Sequence, residues 1–171
     1  HASNHVLGWE SAAAVENAAQ QVARFIGADE DEIIFTSGAT ESNNLAILGL
    51  ARRAATTHTP RKRILLSAIE HKCILSVGRI LEKQYNYKVD LIPVDRSGNI
   101  IAEELDRLLS EDVLLVSIMA VNNEIGSIQD IVALSKPVKD IGAIFHCDAA
   151  QAPMAMAMDN FAEHVDMISL S

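Results

Sequence analysis

Short apolar runs alternate with helical patterns along most of this chain, and this alternation restricts its fold more than any other feature. The runs that predict strands are Ile33–Thr36, Ile64–Ala68, Val89–Val94, Val113–Ile118, Ala143–His146 and Val165–Leu170. The apolar periodicity between them predicts helices over Trp9–Ile26, Ser42–Ala55, Ile74–Tyr85, Ala102–Leu109 and Ile131–Asp140. Strands that alternate with helices usually pair in parallel, so the pattern predicts an α/β fold with a mostly parallel sheet and flanking helices.

Composition and charge exclude several classes of function. The 171 residues are 49% hydrophobic, which suits one sizeable core. A net charge of −9 argues against nucleic acid and anionic membranes as partners. The sequence contains neither an apolar run long enough for a membrane span nor an N-terminal secretory signal, so we expect an intracellular location, cytoplasmic or, in a eukaryote, mitochondrial. The two cysteines lack paired metal-ligand spacing, so we predict no metal site and interpret both as reduced, buried structural residues.

The segment Ser37–Asn44 lies between an apolar run and a long helical pattern. Gly38 allows a sharp turn, and Thr40 and Ser42 place hydroxyl groups at a helix N-terminus, where the helix dipole favours an anion. The segment matches neither the dinucleotide-binding glycine pattern nor the P-loop pattern, so a monophosphate is the better ligand. An ordinary turn capped by Thr40 or Ser42 explains the local sequence equally well.

Polar residues also follow four other predicted strands. They are Glu70-His71-Lys72, Asn122-Asn123-Glu124, His146 with Asp148 and Gln151, and Ser169 with Ser171. The carboxyl ends of parallel strands meet at one edge of a sheet, where open α/β folds bind their ligands. The five strand ends together therefore predict one binding site.

Four segments resemble the cysteine desulfurases of the class V aminotransferase family, which use pyridoxal phosphate. The segments are Phe35–Asn44, Glu70-His71-Lys72, Val121–Gly126 and His146–Gln151, in the order and spacing of the family. The resemblance covers nearly the whole chain. It implies the large domain of a fold-type-I pyridoxal phosphate-dependent transferase, incomplete at both ends.

The resemblance also implies a role for each candidate site residue. The backbone at Ala39 and the Thr40 side chain would bind the cofactor phosphate. Ser171 would be a second phosphate ligand.

The remaining candidate residues would contact the cofactor ring and the substrate. Asp148 would face the pyridine nitrogen, and Gln151 would hydrogen-bond the phenolic oxygen. His71 would stack on the ring and act as the catalytic residue that moves protons to or from the substrate. Asn123 would bind the substrate amino acid near its carboxylate.

The implied reaction converts L-cysteine to L-alanine and leaves a persulfide on the enzyme. The sulfur would supply iron–sulfur cluster or thio-cofactor assembly, with a sulfur-acceptor or scaffold protein as partner, and the full-length protein would be a homodimer. Two alternatives remain open: another class V enzyme, such as a selenocysteine lyase or an aminotransferase, and a non-catalytic binding module that retains the fold.

Both ends of the chain depart from the family pattern. The segment His1–His5 resembles the interior of a family motif whose substrate-binding asparagine would precede it, and the chain has no initiator methionine. The family places the lysine that holds the cofactor just beyond the position of Ser171, and its small domain and persulfide cysteine further on. We therefore expect residues 1–171 to be a partial pyridoxal phosphate-binding large domain without the C-terminal small domain, and to be inactive alone.

Overall fold

The computed structural model describes residues 5–57 and 59–171. The segment 1–4, to which part of the N-terminal resemblance belongs, lies outside the described residues. The described residues divide into two compact units. One contains the chain up to Phe35 together with Met158–Glu163, and the other contains Thr36–Ala157 and His164–Ser171.

The first unit is built on a single long helix, α1 (Val6–Ile26). The helix begins at His5, whose Nδ1 accepts a hydrogen bond from the Gly8 N–H at 3.1 Å. It ends at Gly27, where φ is +75°, a left-handed conformation that terminates many helices. A Cβ atom at Gly27 would lie 2.7 Å from the Asn160 Cα, so this close approach also requires glycine.

The apolar run Ile33–Thr36 does not form the strand that its sequence predicts. Ile34 and Phe35 are 71% and 54% exposed, and the residues have no strand assignment. A strand needs a neighbouring strand to pair with its backbone N–H and C=O groups, and no described strand pairs with this segment. The prediction was wrong because apolar, β-branched composition does not supply that partner.

The second unit contains a five-stranded sheet. Its strands are β1 (Arg63–Ser67), β2 (Lys88–Ile92), β3 (Val113–Ser117), β4 (Ile144–Asp148) and β5 (Met167–Ser169). Their spatial order is β2-β1-β3-β4-β5, and every neighbouring pair is parallel. All five residues of β3 are buried, as expected for a central strand of a parallel sheet. The α/β fold predicted from the sequence is confirmed.

Of the helices that flank these strands, one precedes β1 and three connect β1 to β2, β2 to β3 and β3 to β4. They are α2 (Ala39–Thr56), α3 (Lys72–Tyr85), α4 (Ala102–Leu108) and α5 (Ile131–Asp140). The apolar faces of α2 and α3 pack with β1 and β3 into one buried cluster that includes Ile47, Leu66 and Leu115. Tyr87 lies between α3 and β2. Its hydroxyl donates to the Ala51 carbonyl at 2.8 Å and so joins this connection to α2.

Two arginines, Arg61 and Arg63, make internal hydrogen bonds near the start of the sheet. The Arg61 guanidinium donates to the Val113 and Ile141 carbonyls at 2.6 and 2.7 Å. Arg63 donates to Asp90 at 2.5 Å, and Asp90 is only partly exposed.

Within residues 5–57 and 59–171, no helix has both the length and the apolar character needed to cross a bilayer.

We predict that truncating Leu115 destabilises this core strongly. Leu115 is fully buried in β3, so Leu115→Ala should lower the free energy of unfolding by about 2–5 kcal/mol through lost burial and a residual cavity. Leu91 in the edge strand β2 is 53% exposed, and Leu91→Ala should change it by less than about 0.5 kcal/mol. Urea denaturation of both variants measures the difference. Equal destabilisation would contradict the observed position of the core.

Candidate functional site

A cavity of about 370 Å³ lies at the carboxyl edge of the sheet in the second unit. Every residue to which the resemblance gives a role lines it: Ala39, Thr40, His71, Asn123, Asp148, Gln151 and Ser171. These residues come from the start of α2, from the last residue of β4, and from the segments that follow β1, β3, β4 and β5. The predicted convergence is therefore observed for four of the five strand ends, and the segment before α2 reaches the cavity without forming the predicted strand.

The start of α2 has no side-chain cap. Gly38 is the N-cap residue. Its φ is +148°, a backbone conformation that residues other than glycine rarely adopt. Thr40 lies inside the first turn, and the Ser42 hydroxyl is paired with the Thr36 hydroxyl at 2.7 Å. The alternative of an ordinary turn capped by Thr40 or Ser42 is thus not observed. The first N–H groups of α2 are left available for an anion at the cavity wall.

Glu41 holds the turn before α2 in place. Its carboxylate accepts hydrogen bonds from the Ser37 hydroxyl and the Ser37 N–H, both at 2.6 Å. These bonds, the one from the hydroxyl first, lower the pKa of the exposed Glu41 carboxyl. Glu41 therefore orders Ser37. Ser37 lines the cavity, and Glu41 does not.

A buried hydrogen bond joins Asn43 on α2 to Asp148 at the end of β4. The Asn43 Nδ2 donates to the Asp148 Oδ2 at 2.8 Å, and the Ala150 N–H donates to Oδ1 at 3.1 Å. Asn43 and Asp148 are 1% and 4% exposed. The sequence analysis gave Asn43 no role. The available signal was its spacing of three residues from Thr40, which places both on one side of the helix.

His71 both caps α3 and contacts Cys73. Its Nδ1 accepts a hydrogen bond from the Cys73 N–H at 3.3 Å and lies 3.0 Å from the Cys73 Sγ. Cys73 is partly exposed and lines the cavity, so the expectation that it is buried was wrong. It occupies the first turn of α3, which places its side chain beside the capping histidine. Cys147 is fully buried, as expected, and both cysteines are free thiols.

Glu70 is a buried carboxyl group that belongs to the predicted strand-end residues but to which the resemblance gives no role. It is 5% exposed, its Oε1 accepts the Met119 N–H at 2.7 Å, and its Oε2 has no hydrogen-bond partner among the described residues. Burial raises the pKa of Glu70 to about 8, and the charge of Asp148 adds to the increase. Glu70 is therefore mostly protonated at neutral pH.

His146 supports the strand ends from within the sheet and does not line the cavity. Its Nδ1 lies 2.9 Å from the Ser117 hydroxyl, and its Nε2 lies 3.2 Å from the Ser169 hydroxyl. The three residues connect β3, β4 and β5 through side chains as well as backbone. Burial lowers the pKa of His146 to about 4, so the imidazole is neutral at physiological pH.

Asn122 shapes the loop that carries Asn123. Its Oδ1 accepts the N–H groups of Glu124 and Ile125 at 2.9 and 3.0 Å, and its Nδ2 donates to the Ile69 carbonyl at 3.0 Å. The neighbouring Asn123 is exposed at the cavity. Within the described ranges, no group of three or more His, Cys, Asp or Glu residues is arranged to hold a metal ion.

The sequence profile of the Aminotransferase class-V family matches residues 1–171. The chain belongs to this family. The family is generally dependent on pyridoxal phosphate. The chain is 46% identical over 171 residues to the mitosomal cysteine desulfurase of Trachipleistophora hominis and 45% identical to the cysteine desulfurase of Homo sapiens. It spans 38% and 36% of the lengths of these two relatives.

Solved structures agree with this assignment. DndA from Streptomyces lividans has a TM-score of 0.89 and 40% identity, over 99% of this chain and 46% of that one. SspA in complex with cysteine has a TM-score of 0.85 and 34% identity, over 99% of this chain and 48% of that one. The observed sheet with its flanking helices is therefore the cofactor-domain fold of this class V family, represented over less than half of each matched structure.

We predict that Glu70 makes stability fall as pH rises. Its folded pKa lies above the unfolded value of 4.5, so folding retains a proton that the unfolded chain loses, and stability decreases between about pH 4.5 and 8. Below pH 6.5 the lowered pKa of His146 has the opposite effect, because its contribution to stability increases as pH rises. Between pH 6.5 and 8 the decrease should approach about 1.4 kcal/mol per pH unit.

The variant Glu70→Gln should remove this slope, because the amide is neutral and its oxygen can still accept the Met119 N–H. Glu41→Gln is the matched control. The pKa of Glu41 is lowered, so its contribution to stability does not change between pH 6.5 and 8. Urea denaturation at several pH values measures both variants, and an unchanged slope in Glu70→Gln would contradict the prediction.

Proposed function

We propose that this chain is the pyridoxal phosphate-binding part of a cysteine desulfurase, which converts L-cysteine to L-alanine and leaves a persulfide on the enzyme. One observation carries the proposal: the predicted cofactor-binding residues, drawn from segments far apart in the sequence, line a single cavity beside a buried carboxylate. The curated relatives named above are cysteine desulfurases, which favours this activity over a selenocysteine lyase or an aminotransferase.

The chemistry of the cavity fits the phosphate of the cofactor. The uncapped start of α2 offers backbone N–H groups and the positive end of the helix dipole to an anion. Ala39 and Thr40 would bind the phosphate there, and Ser171 would add a hydroxyl donor. The volume of about 370 Å³ is within the range of small-molecule sites.

Asp148 would bind the pyridine nitrogen. When bound, pyridoxal phosphate supplies an electron sink for the reacting carbon of the substrate. The Asn43 amide and the Ala150 N–H orient the Asp148 carboxylate and stabilise its negative charge. A carboxylate in this position favours the protonated ring nitrogen, which strengthens the electron sink. Because Glu70 is neutral at physiological pH, it does not oppose the charge of Asp148.

His71 would hold or move a proton through its Nε2. Its Nδ1 accepts the Cys73 N–H, so the neutral ring carries its hydrogen on Nε2. The cap on α3 thereby fixes the tautomer. Gln151 would donate its amide to the phenolic oxygen of the cofactor, and Asn123, exposed at the cavity, would bind the substrate carboxylate.

The activity of the whole protein is also part of this proposal. The chain spans 36–38% of the two curated relatives, so we propose that residues 1–171 form part of a larger cofactor-binding domain. A sulfur-acceptor or scaffold protein would be its partner, and the full-length protein would be a homodimer. The relatives include mitosomal and mitochondrial proteins, which supports an organellar location in a eukaryote. In any other organism the location would be cytoplasmic.

We predict that the chain binds pyridoxal phosphate and that Asp148→Asn weakens this binding by about 10- to 100-fold, the value of a charged hydrogen bond of about 1.5–3 kcal/mol. Equilibrium dialysis measures the affinity. Asp140→Asn, at the exposed end of α5, is the matched control and should bind as the unaltered chain does. Absence of binding at saturating cofactor would favour a non-catalytic module, and equal affinity of the two variants would contradict the role of Asp148.

A second measurement separates binding in the cavity from reaction at surface lysines. Among the described residues that line the cavity, none is a lysine. Borohydride treatment and mass analysis should therefore reveal no stoichiometric pyridoxyl adduct on Lys72 or any other lysine of this chain. One such adduct at full occupancy would refute the proposed non-covalent mode of binding.

A further inference from the structure

The two cysteines of the chain occupy opposite environments. Cys147 lies within β4 and is fully buried, and burial raises the pKa of its thiol well above the usual range. Cys73 lies in the first turn of α3, is partly exposed and lines the cavity. Only the Cys73 thiol is therefore accessible to a small molecule that enters the cavity.

His71 is positioned to accept the proton of the Cys73 thiol. The His71 Nδ1 lies 3.0 Å from the Cys73 Sγ and accepts the Cys73 backbone N–H at 3.3 Å. A backbone N–H can only donate, so this Nδ1 carries a lone pair and not a hydrogen. The thiol is consequently the donor to the same nitrogen. A cysteine whose proton is accepted by a neighbouring histidine has the arrangement of an activated nucleophile.

Asn43 provides an independent indication of a ligand at this thiol. Its Nδ2 lies 3.6 Å from the Cys73 Sγ, where it can stabilise negative charge on the sulfur. Its Oδ1 is buried and has no hydrogen-bond partner among the described residues. Buried acceptors rarely remain unpaired in folded proteins, and an ammonium group of a bound amino acid would pair this one.

We propose that Cys73 is a thiol–disulfide exchange site that accepts one half of a small amino-acid disulfide of the cystine class. The Cys73 sulfur attacks one sulfur of the disulfide while the His71 Nδ1 takes the thiol proton. A new S–S bond forms at Cys73 and the S–S bond of the reagent breaks. The departing thiolate takes the proton from His71, so one free thiol leaves, the Cys73 sulfur is oxidised and the leaving sulfur is reduced.

Modification of Cys73 controls access to the cavity. The attached half-disulfide occupies space lined by Asn43, His71 and Asp148, which the proposed function assigns to the cofactor. Binding of pyridoxal phosphate and modification of Cys73 are therefore mutually exclusive. This coupling rests on the proposed function, whereas the reactivity of Cys73 does not.

The test is incubation of the folded chain with L-cystine at neutral pH, followed by intact-mass and peptide analysis. One cysteinyl group should be added to Cys73. The addition should disappear in Cys73→Ser and persist in Cys147→Ser. His71→Asn should react at least about tenfold more slowly, because asparagine can still cap α3 but cannot take the thiol proton. Circular dichroism verifies that each variant is folded.

Three outcomes would overturn the proposal. The first is no addition to the folded chain while both cysteines react after denaturation. The second is reaction of Cys147 at the same rate as Cys73, which would indicate reaction through unfolding. The third is an unchanged rate in a folded His71→Asn variant, which would remove the histidine from the exchange step.

A competition experiment tests the coupling separately. Saturating pyridoxal phosphate should slow the addition of cystine to Cys73, and the modified chain should bind less cofactor in dialysis. If the cofactor binds and the rate of addition is unchanged, the mutual exclusion is wrong. If the cofactor does not bind, the proposed function fails. The reaction of Cys73 with cystine alone still tests whether Cys73 is an exchange site.

Discussion

The parallel pairing of β1, β3, β4 and β5 is the constraint on which the site depends. Parallel strands run in one direction, so the chain leaves each of them at the same edge of the sheet. His71 follows β1, Asn123 follows β3, and Ser171 follows β5, although 100 residues separate the first from the last. An antiparallel arrangement of the same strands would divide these side chains between the two edges.

The buried polar groups beneath the cavity determine where its negative charge resides. The Asp148 carboxylate accepts two N–H groups, whereas the Glu70 carboxyl accepts one and leaves Oε2 without a partner among the described residues. Two buried carboxylates close together repel each other, so one remains protonated. The raised pKa of Glu70 identifies it as the neutral member. The site therefore holds one carboxylate, that of Asp148, in a fixed orientation.

Local patterns predicted much of this architecture because α/β folds obey simple rules. Alternating apolar runs and helical periodicity were sufficient for the five strands that pair, and the strand-end rule was sufficient to gather the candidate residues at one cavity. The prediction failed for Ile33–Thr36, because strand formation requires a partner that no local window reveals. The contacts of Asn43 and Glu70 were also missed, since the Asn43–Asp148 bond joins residues 105 positions apart.

The contrast between Cys73 and Cys147 shows why a cysteine cannot be classified from its sequence neighbours alone. Both follow a histidine by one or two positions, yet the surrounding element decides the chemistry. In β4, His146 bonds to hydroxyls of adjacent strands, and Cys147 is enclosed by the sheet and its helices. At the start of α3, the His71 Nδ1 accepts the Cys73 N–H and caps the helix, and this same unprotonated nitrogen lies 3.0 Å from the Cys73 Sγ. The hydrogen bond by which His71 caps α3 thereby also places a proton acceptor beside the accessible Cys73 sulfur.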